Sequence, residues 1–190
     1  LLETPAGRIG AEVGRYSLQH KEIIGLFDTF CMGMINGVFP QKALADIGMP
    51  LEGLSQSDLL AEMALVPREL TEQCLAWYQA QGMRFEFGSD PATELTRDQV
   101  LEQCAMLIAL GRFVDRFGLS AVGVQYQQGL ARCCAASDFA EGAIGNAERF
   151  DPEELVGTSA QGYTITRLIA RGGMGIVYAA RQHVPSRDVA

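Results

Sequence analysis

The chain has 190 residues with 15 basic and 23 acidic side chains, a formal net charge of −8, and it is 48% hydrophobic. That acidity argues against a general nucleic-acid binder, which gathers Lys and Arg on its surface. No apolar run approaches the roughly 20 residues that a membrane-spanning helix needs. Five scattered cysteines and only two histidines, His20 and His183, give neither a disulfide framework nor a Cys/His zinc spacing. No basic region followed by an apolar block marks a leader, so the sequence predicts a cytoplasmic protein.

In chain order, the first 38 residues mix short apolar runs with glycine. RIGAEVGRY and GLFDTFCMGMINGVF are expected to form strands and tight turns. Cys31, Met32 and Met34 are expected to pack as soft hydrophobes. A helical pattern starts at Ser55 with SQSDLLAEMALV and restarts after Pro67. Leu70, Cys74, Trp77 and Tyr78 are then expected on one buried face, with Gly82 as the stop. MRFEFG alternates like a short strand.

Thr96 opens the strongest helix. TRDQ has the form of a capping box, in which the Thr96 hydroxyl accepts from the Gln99 amide and the Gln99 side chain reaches back. Val100, Leu101, Cys104, Leu107, Ile108 and Val114 form a broad apolar stripe that ends at Gly118. SAVGVQY follows as a buried parallel strand. A further helix is expected through Leu130 to Cys134. Helix, strand and helix in succession predict an α/β fold with a parallel sheet over residues 1–150.

Residues 151–162 read as a linker. Beyond them YTITRLIA and GIVYAARQ, joined by the short RGGM, predict a β-hairpin or ribbon over residues 163–190.

Chemistry concentrates in VGVQYQQGLARCCAASDFAEG. Gln125, Gln127 and Gln128 stand at the carboxyl end of a strand, where open α/β sheets hold ligands. Asp138 and Glu141, three apart, would share one face of a helix or turn and could offer oxygens to a hard divalent cation. The plainer alternative is that Asp138 caps a helix while Glu141 is a first-turn acid favoured by the helix dipole.

FDTFCMGMINGVFP, GLSQSDLLAEM, LEQCAMLIAL, VGVQYQQGL and AASDFAEG together resemble the L-fucose and L-arabinose isomerase superfamily over residues 26–150. The resemblance implies a metal-dependent ketol isomerase, commonly using manganese, which acts on a small sugar and is oligomeric in its complete form. It makes Glu141 the first and Asp138 the second candidate for metal binding and proton transfer. Gln125, Gln127 and Gln128 become candidate contacts to sugar hydroxyls. The chain departs from the family pattern at Thr29 and Asp151 and lacks its later metal-binding histidine, so activity is not expected from these residues alone. YTITRLIARGGMGIVYAARQ resembles the start of a bacterial serine/threonine protein kinase. This second resemblance places Ala170, Gly172, Gly175 and Val177 around ATP and Mg²⁺. The lysine and aspartates that complete such a site are not in the chain, so no kinase activity is expected from it.

Overall fold

In the computed structural model, the structure describes residues 5–28, 40–127, 129–146, 149–151, 159–160, 163–172, 175–183 and 186–189. They divide into two compact units, Leu1–Arg149 and Phe150–Ala190. The fold is α/β. One sheet is parallel and three-stranded; the other is antiparallel and four-stranded.

The first unit opens with α1 (Pro5–His20), where the glycine-broken pattern predicts strands and turns. Pro5 suits a first helical position because its missing N–H has no intrahelical partner there. Ile9 and Val13 recur at helical spacing, and the Ser17 hydroxyl donates back to the Val13 carbonyl at 3.0 Å. Gly10 and Gly14 have open space where a Cβ would stand, so close packing does not require glycine at either position. Ile9, Val13, Tyr16 and Leu18 are exposed.

The parallel sheet is built from β1 (Ile23–Phe27), β2 (Leu51–Leu54) and β3 (Leu119–Val124), in the order β2-β1-β3. Gly25 pairs with Glu52 on one side and Val122 on the other. A Cβ at Gly25 would lie 2.5 Å from Leu119 Cδ1 and 3.3 Å from Leu54 Cδ1, so glycine lets the flanking side chains close over the central strand. Between β1 and β2 lies α2 (Gln41–Asp46).

Three helices separate β2 from β3. The first, α3 (Gln56–Ala64), is capped by Ser55, whose side chain accepts from the Ser57 N–H. The second, α4 (Arg68–Ala80), starts after Pro67, and Gly82 follows its end at φ +98°. Its buried face is Thr71, Cys74, Leu75 and Tyr78. Trp77 and Leu70 are only half-buried, so the stripe is rotated by about one residue from the one expected. Residues 83–88 form no strand. The alternation of MRFEFG instead stacks Phe85 on Phe87, with ring centroids 5.8 Å apart.

The central helix, α5 (Arg97–Phe117), carries both halves of the Thr96–Gln99 capping box and ends at Gly118 in the left-handed region, φ +62°. Val100, Leu101, Cys104, Leu107 and Ile108 are buried as the stripe predicts, and Val114 is half-buried. α5 packs against α3, α4, β3 and α6 (Asp138–Ile144). The Phe113 ring meets fully buried Phe27 of β1 edge-on at 5.0 Å. Only a 3₁₀ turn, Leu130–Arg132, forms in the stretch expected to be helical.

The second unit contains β4 (Ser159–Ala160), β5 (Tyr163–Gly172), β6 (Gly175–His183) and β7 (Ser186–Val189), antiparallel in that order. β5 and β6 form the expected hairpin, with Ala170 opposite Val177 and Gly172 opposite Gly175. Among the described residues, no helix is long and apolar enough to cross a membrane.

Candidate functional site at the strand ends

The strand order makes the carboxyl end of β1 a switch point. The chain leaves β1 for β2 on one side and later reaches β3 on the other. In open α/β sheets this is where a crevice receives ligands. Asp28 stands there, following β1 with φ +63°. Its N–H donates to the Leu54 carbonyl at 3.0 Å, and the Gln125 N–H donates to the Phe27 carbonyl at 3.0 Å. The ladder thus continues one residue past each strand and fixes Gln125 at the rim.

Gln125 is 9% exposed. Its side chain is oriented by Gln56, the first residue of α3. The Leu130 N–H donates to Gln56 Oε1 at 3.0 Å, which commits that atom as the oxygen. Gln56 Nε2 must then be the donor. It points to Gln125 Oε1 at 2.9 Å and also contacts the Gln125 carbonyl oxygen. Gln125 therefore presents its oxygen to Gln56, and its Nε2 is left buried without a hydrogen-bond partner among the described residues. The chain of donors and acceptors fixes the amide orientation, since a flipped Gln125 would set two NH₂ groups against each other. Because β2 and β3 flank β1, the Gln56–Gln125 contact passes over the end of β1.

Glu141 lies beside this rim. Its Oε1 accepts from the Val124 N–H at 2.8 Å, and its Oε2 accepts from the Ser137 hydroxyl at 2.7 Å. The carboxylate thus ties α6 to the residue before Gln125. Asp138, by contrast, is exposed and lines a different cavity. Their spacing of three residues does not bring the two carboxylates to one task. Asp138 is the first helical residue, and the N-cap position belongs to Ser137. Gln127 is exposed; Gln128 lies outside the described residues, as do Cys31, Met32 and Met34.

A cavity of about 480 Å³ lies beside α6. Phe85, Leu95, Val100, Gln103, Asp138 and Phe139 are among its walls. The 88–95 loop, which supplies Pro91–Leu95 to its wall, is internally bonded. Glu94 Oε2 accepts from the Ser89 and Asp90 N–H groups at 2.7 and 3.0 Å. Asp90 accepts from the Ala92 N–H and the Thr93 hydroxyl. Gln99 Nε2 donates to the Pro91 carbonyl at 3.0 Å. The Asp90 and Ser89 amides hold the Glu94 carboxyl below its ordinary range, and the Ala92 amide and Thr93 hydroxyl do the same for Asp90.

Sequence reasoning passed over Gln56 and Gln103. Gln56 was hidden because LEGL, only four residues long, is not recognisable as a strand, so the residue did not register as standing at a strand end. Gln103 carries a clearer signal: a polar side chain next to Cys104 on an otherwise apolar helix face.

A comparison of the chain with known protein families found no matching family model, and a comparison with curated proteins found no match.

Proposed function

We propose that the Leu1–Arg149 unit binds a polyhydroxylated small molecule, an open-chain sugar, at the carboxyl ends of β1 and β3, as part of an aldose–ketose isomerase of the L-fucose/L-arabinose type. The observation that carries this reading is the buried Nε2 of Gln125 at the switch point, which has no hydrogen-bond partner among the described residues. An unmade hydrogen bond at a buried donor costs about 1–3 kcal/mol, and a ligand hydroxyl or carbonyl oxygen would remove that cost. The isomerase assignment adds the motif resemblance of residues 26–150.

Manganese belongs to this reading by resemblance, but the described residues do not fit it on their own. Asp138 and Glu141 face different surroundings, both Glu141 oxygens already accept hydrogen bonds, and no group of three or more His, Cys, Asp or Glu side chains comes together among the described residues. The residues' own contributions are therefore binding and orientation. Gln125 donates to a sugar oxygen, Gln56 fixes the amide that donates, and Glu141 presents a carboxylate held by Val124 and Ser137 next to the rim, placed to exchange a proton with a bound sugar.

The test is conversion of L-fucose and L-arabinose to the ketose by the full-length parent with Mn²⁺, with this chain as control. The reading expects Glu141→Gln to abolish turnover in the parent. Full turnover in that variant, or after metal stripping, contradicts it.

A second reading concerns Phe150–Ala190 alone. The β5–β6–β7 meander, with Ala170, Gly172, Gly175 and Val177 about its first turn, favours the opening strands of a kinase nucleotide lobe. ATP with Mg²⁺ is then its ligand. Saturable ATP binding by a longer polypeptide, weakened by Gly172→Val, is the expected result; ATP binding unchanged by that substitution contradicts it.

A further inference from the structure

The cavity beside α6 shares no lining residue with the Gln56–Gln125 strand ends. Its volume, about 480 Å³, falls within the range that holds small organic ligands. Phe85 and Phe139 meet edge-on across 6.0 Å in its wall, and Leu95 and Val100 extend the apolar surface. The 88–95 loop in its wall is tied down by the Asp90, Glu94 and Gln99 hydrogen bonds. The site is therefore preformed and loses little freedom on binding.

Two polar groups give it a chemical preference. Gln103 is 8% exposed. Its Oε1 accepts from the Ala140 N–H at 3.1 Å, which commits the oxygen and leaves Nε2 with no hydrogen bond among the described residues. The Nε2 of a largely buried side chain is thus available to the cavity. Asp138, also in the wall, makes no hydrogen bond or ion pair among the described residues. It is the acid in this wall with an uncommitted carboxylate, since Glu94 is engaged by two backbone amides. An apolar body, one acceptor for Gln103 and one cation for Asp138 together define the ligand.

We infer that this cavity is a binding site for a small arylalkylamine that carries an acceptor oxygen remote from its ammonium group. The aromatic body packs on Phe85 and Phe139, the ammonium pairs with Asp138, and the oxygen accepts from Gln103 Nε2.

Calorimetric titration of the full 190-residue chain tests the assignment with three probes. Tyramine has all three features, 2-phenylethylamine lacks the oxygen, and 4-hydroxyphenylacetate replaces the cation with an anion. Tyramine is expected to bind saturably, 2-phenylethylamine more weakly, and 4-hydroxyphenylacetate not at all. Asp138→Asn is expected to weaken tyramine about tenfold, the scale of one charge-assisted hydrogen bond. Gln103→Glu keeps an oxygen for the Ala140 N–H and removes the donor, so it should erase the advantage over 2-phenylethylamine of a further probe, O-methyltyramine, whose ether oxygen only accepts, while the chain stays folded by circular dichroism. Absence of saturable tyramine binding, equal binding of the anionic probe, or an unchanged tyramine affinity in Asp138→Asn overturns the assignment.

Discussion

Gln56 Nε2 donates to Gln125 Oε1 at 2.9 Å, joining side chains 69 residues apart over the end of the central strand. Both residues are buried, and the same Gln56 side chain accepts from the Leu130 N–H. One amide therefore closes two connections, from α3 to β3 and from α3 to the turn that follows it.

Gln56→Leu removes both connections at once. It leaves Gln125 Oε1 and the Leu130 N–H without this side chain, and each buried unpaired group costs about 1–3 kcal/mol. Urea denaturation is expected to show a loss of about 2–4 kcal/mol. A loss below about 0.5 kcal/mol, the level of an ordinary surface substitution, would mean that water replaces Gln56 at no cost.

Gly48 and Gly118 both have positive φ, +87° and +62°, but they differ in what surrounds them. A Cβ at Gly118 meets nothing within 4 Å, whereas one at Gly48 would lie 2.2 Å from the Ser17 carbonyl oxygen and 2.6 Å from the Leu18 nitrogen. Gly118→Ala should cost about 1 kcal/mol from backbone strain alone. Gly48→Ala should cost clearly more, because α1 must move away. Equal melting temperatures for the two variants would contradict the packing of α1 on Gly48.

Glu62 receives hydrogen bonds from Arg112 at 2.9 Å and Arg116 at 3.2 Å. Burial pushes its carboxyl up, but the two arginine bonds and charges outweigh burial and hold it below the ordinary carboxylate range. A depressed folded value means that the stabilisation is complete above the unfolded value and is lost as the pH falls through the folded one. Acid unfolding followed by circular dichroism should therefore show a shallower loss of stability below about pH 4.5 in Glu62→Gln than in the wild type. Identical acid profiles would remove Glu62 from the α3–α5 contact energy.

The cysteines should separate by reactivity. Cys133 is exposed, whereas Cys74 and Cys104 are buried. The hydrogen bond with Cys104, and then burial, push the Cys74 thiol far above its ordinary range. Burial pushes Cys134 up to about 11. In a Cys31→Ser background, iodoacetamide at neutral pH should label Cys133 first, with Cys74 and Cys104 protected until unfolding. Early labelling of Cys74 would mean that the α4–α5 contact opens in the native state.

Local signals in the sequence carry much of this architecture. The Thr96–Gln99 box and Gly118 delimit α5 because capping is decided by residues within one turn. SAVGVQY is legible as a strand, and the RGGM connection as a hairpin, for similarly local reasons; the burial expected of that strand is not met, because β3 stands at the end of the order β2-β1-β3 with Ser120 and Ala121 exposed and Val122, Gly123 and Val124 only half-buried. RIGAEVGRY misleads because its glycines look like breaks although no close contact requires them in α1. MRFEFG has the period of a strand but finds no neighbouring edge, and pairing is not a local property. LEGL is a strand only because β1 supplies that edge. At the strand ends, Gln125 is legible from its position, while Gln56 requires knowing that α3 begins at the same rim. Asp138 and Glu141 show the limit of spacing arguments: three residues apart in a short helix, one carboxylate turns to the Val124 N–H and the other to a different cavity.

The measurement closest to the central claim is the side-chain amide signal of Gln125 in a ¹⁵N-correlated spectrum of the 190-residue chain, assigned with Gln125→Glu and titrated with L-arabinitol and L-fucitol as open-chain sugar analogues. The Gln125 NH₂ pair is predicted to shift saturably with at least one of them, and Gln125→Glu to abolish that binding. A Gln125 signal that stays fixed at saturating polyol contradicts ligand binding at the switch point.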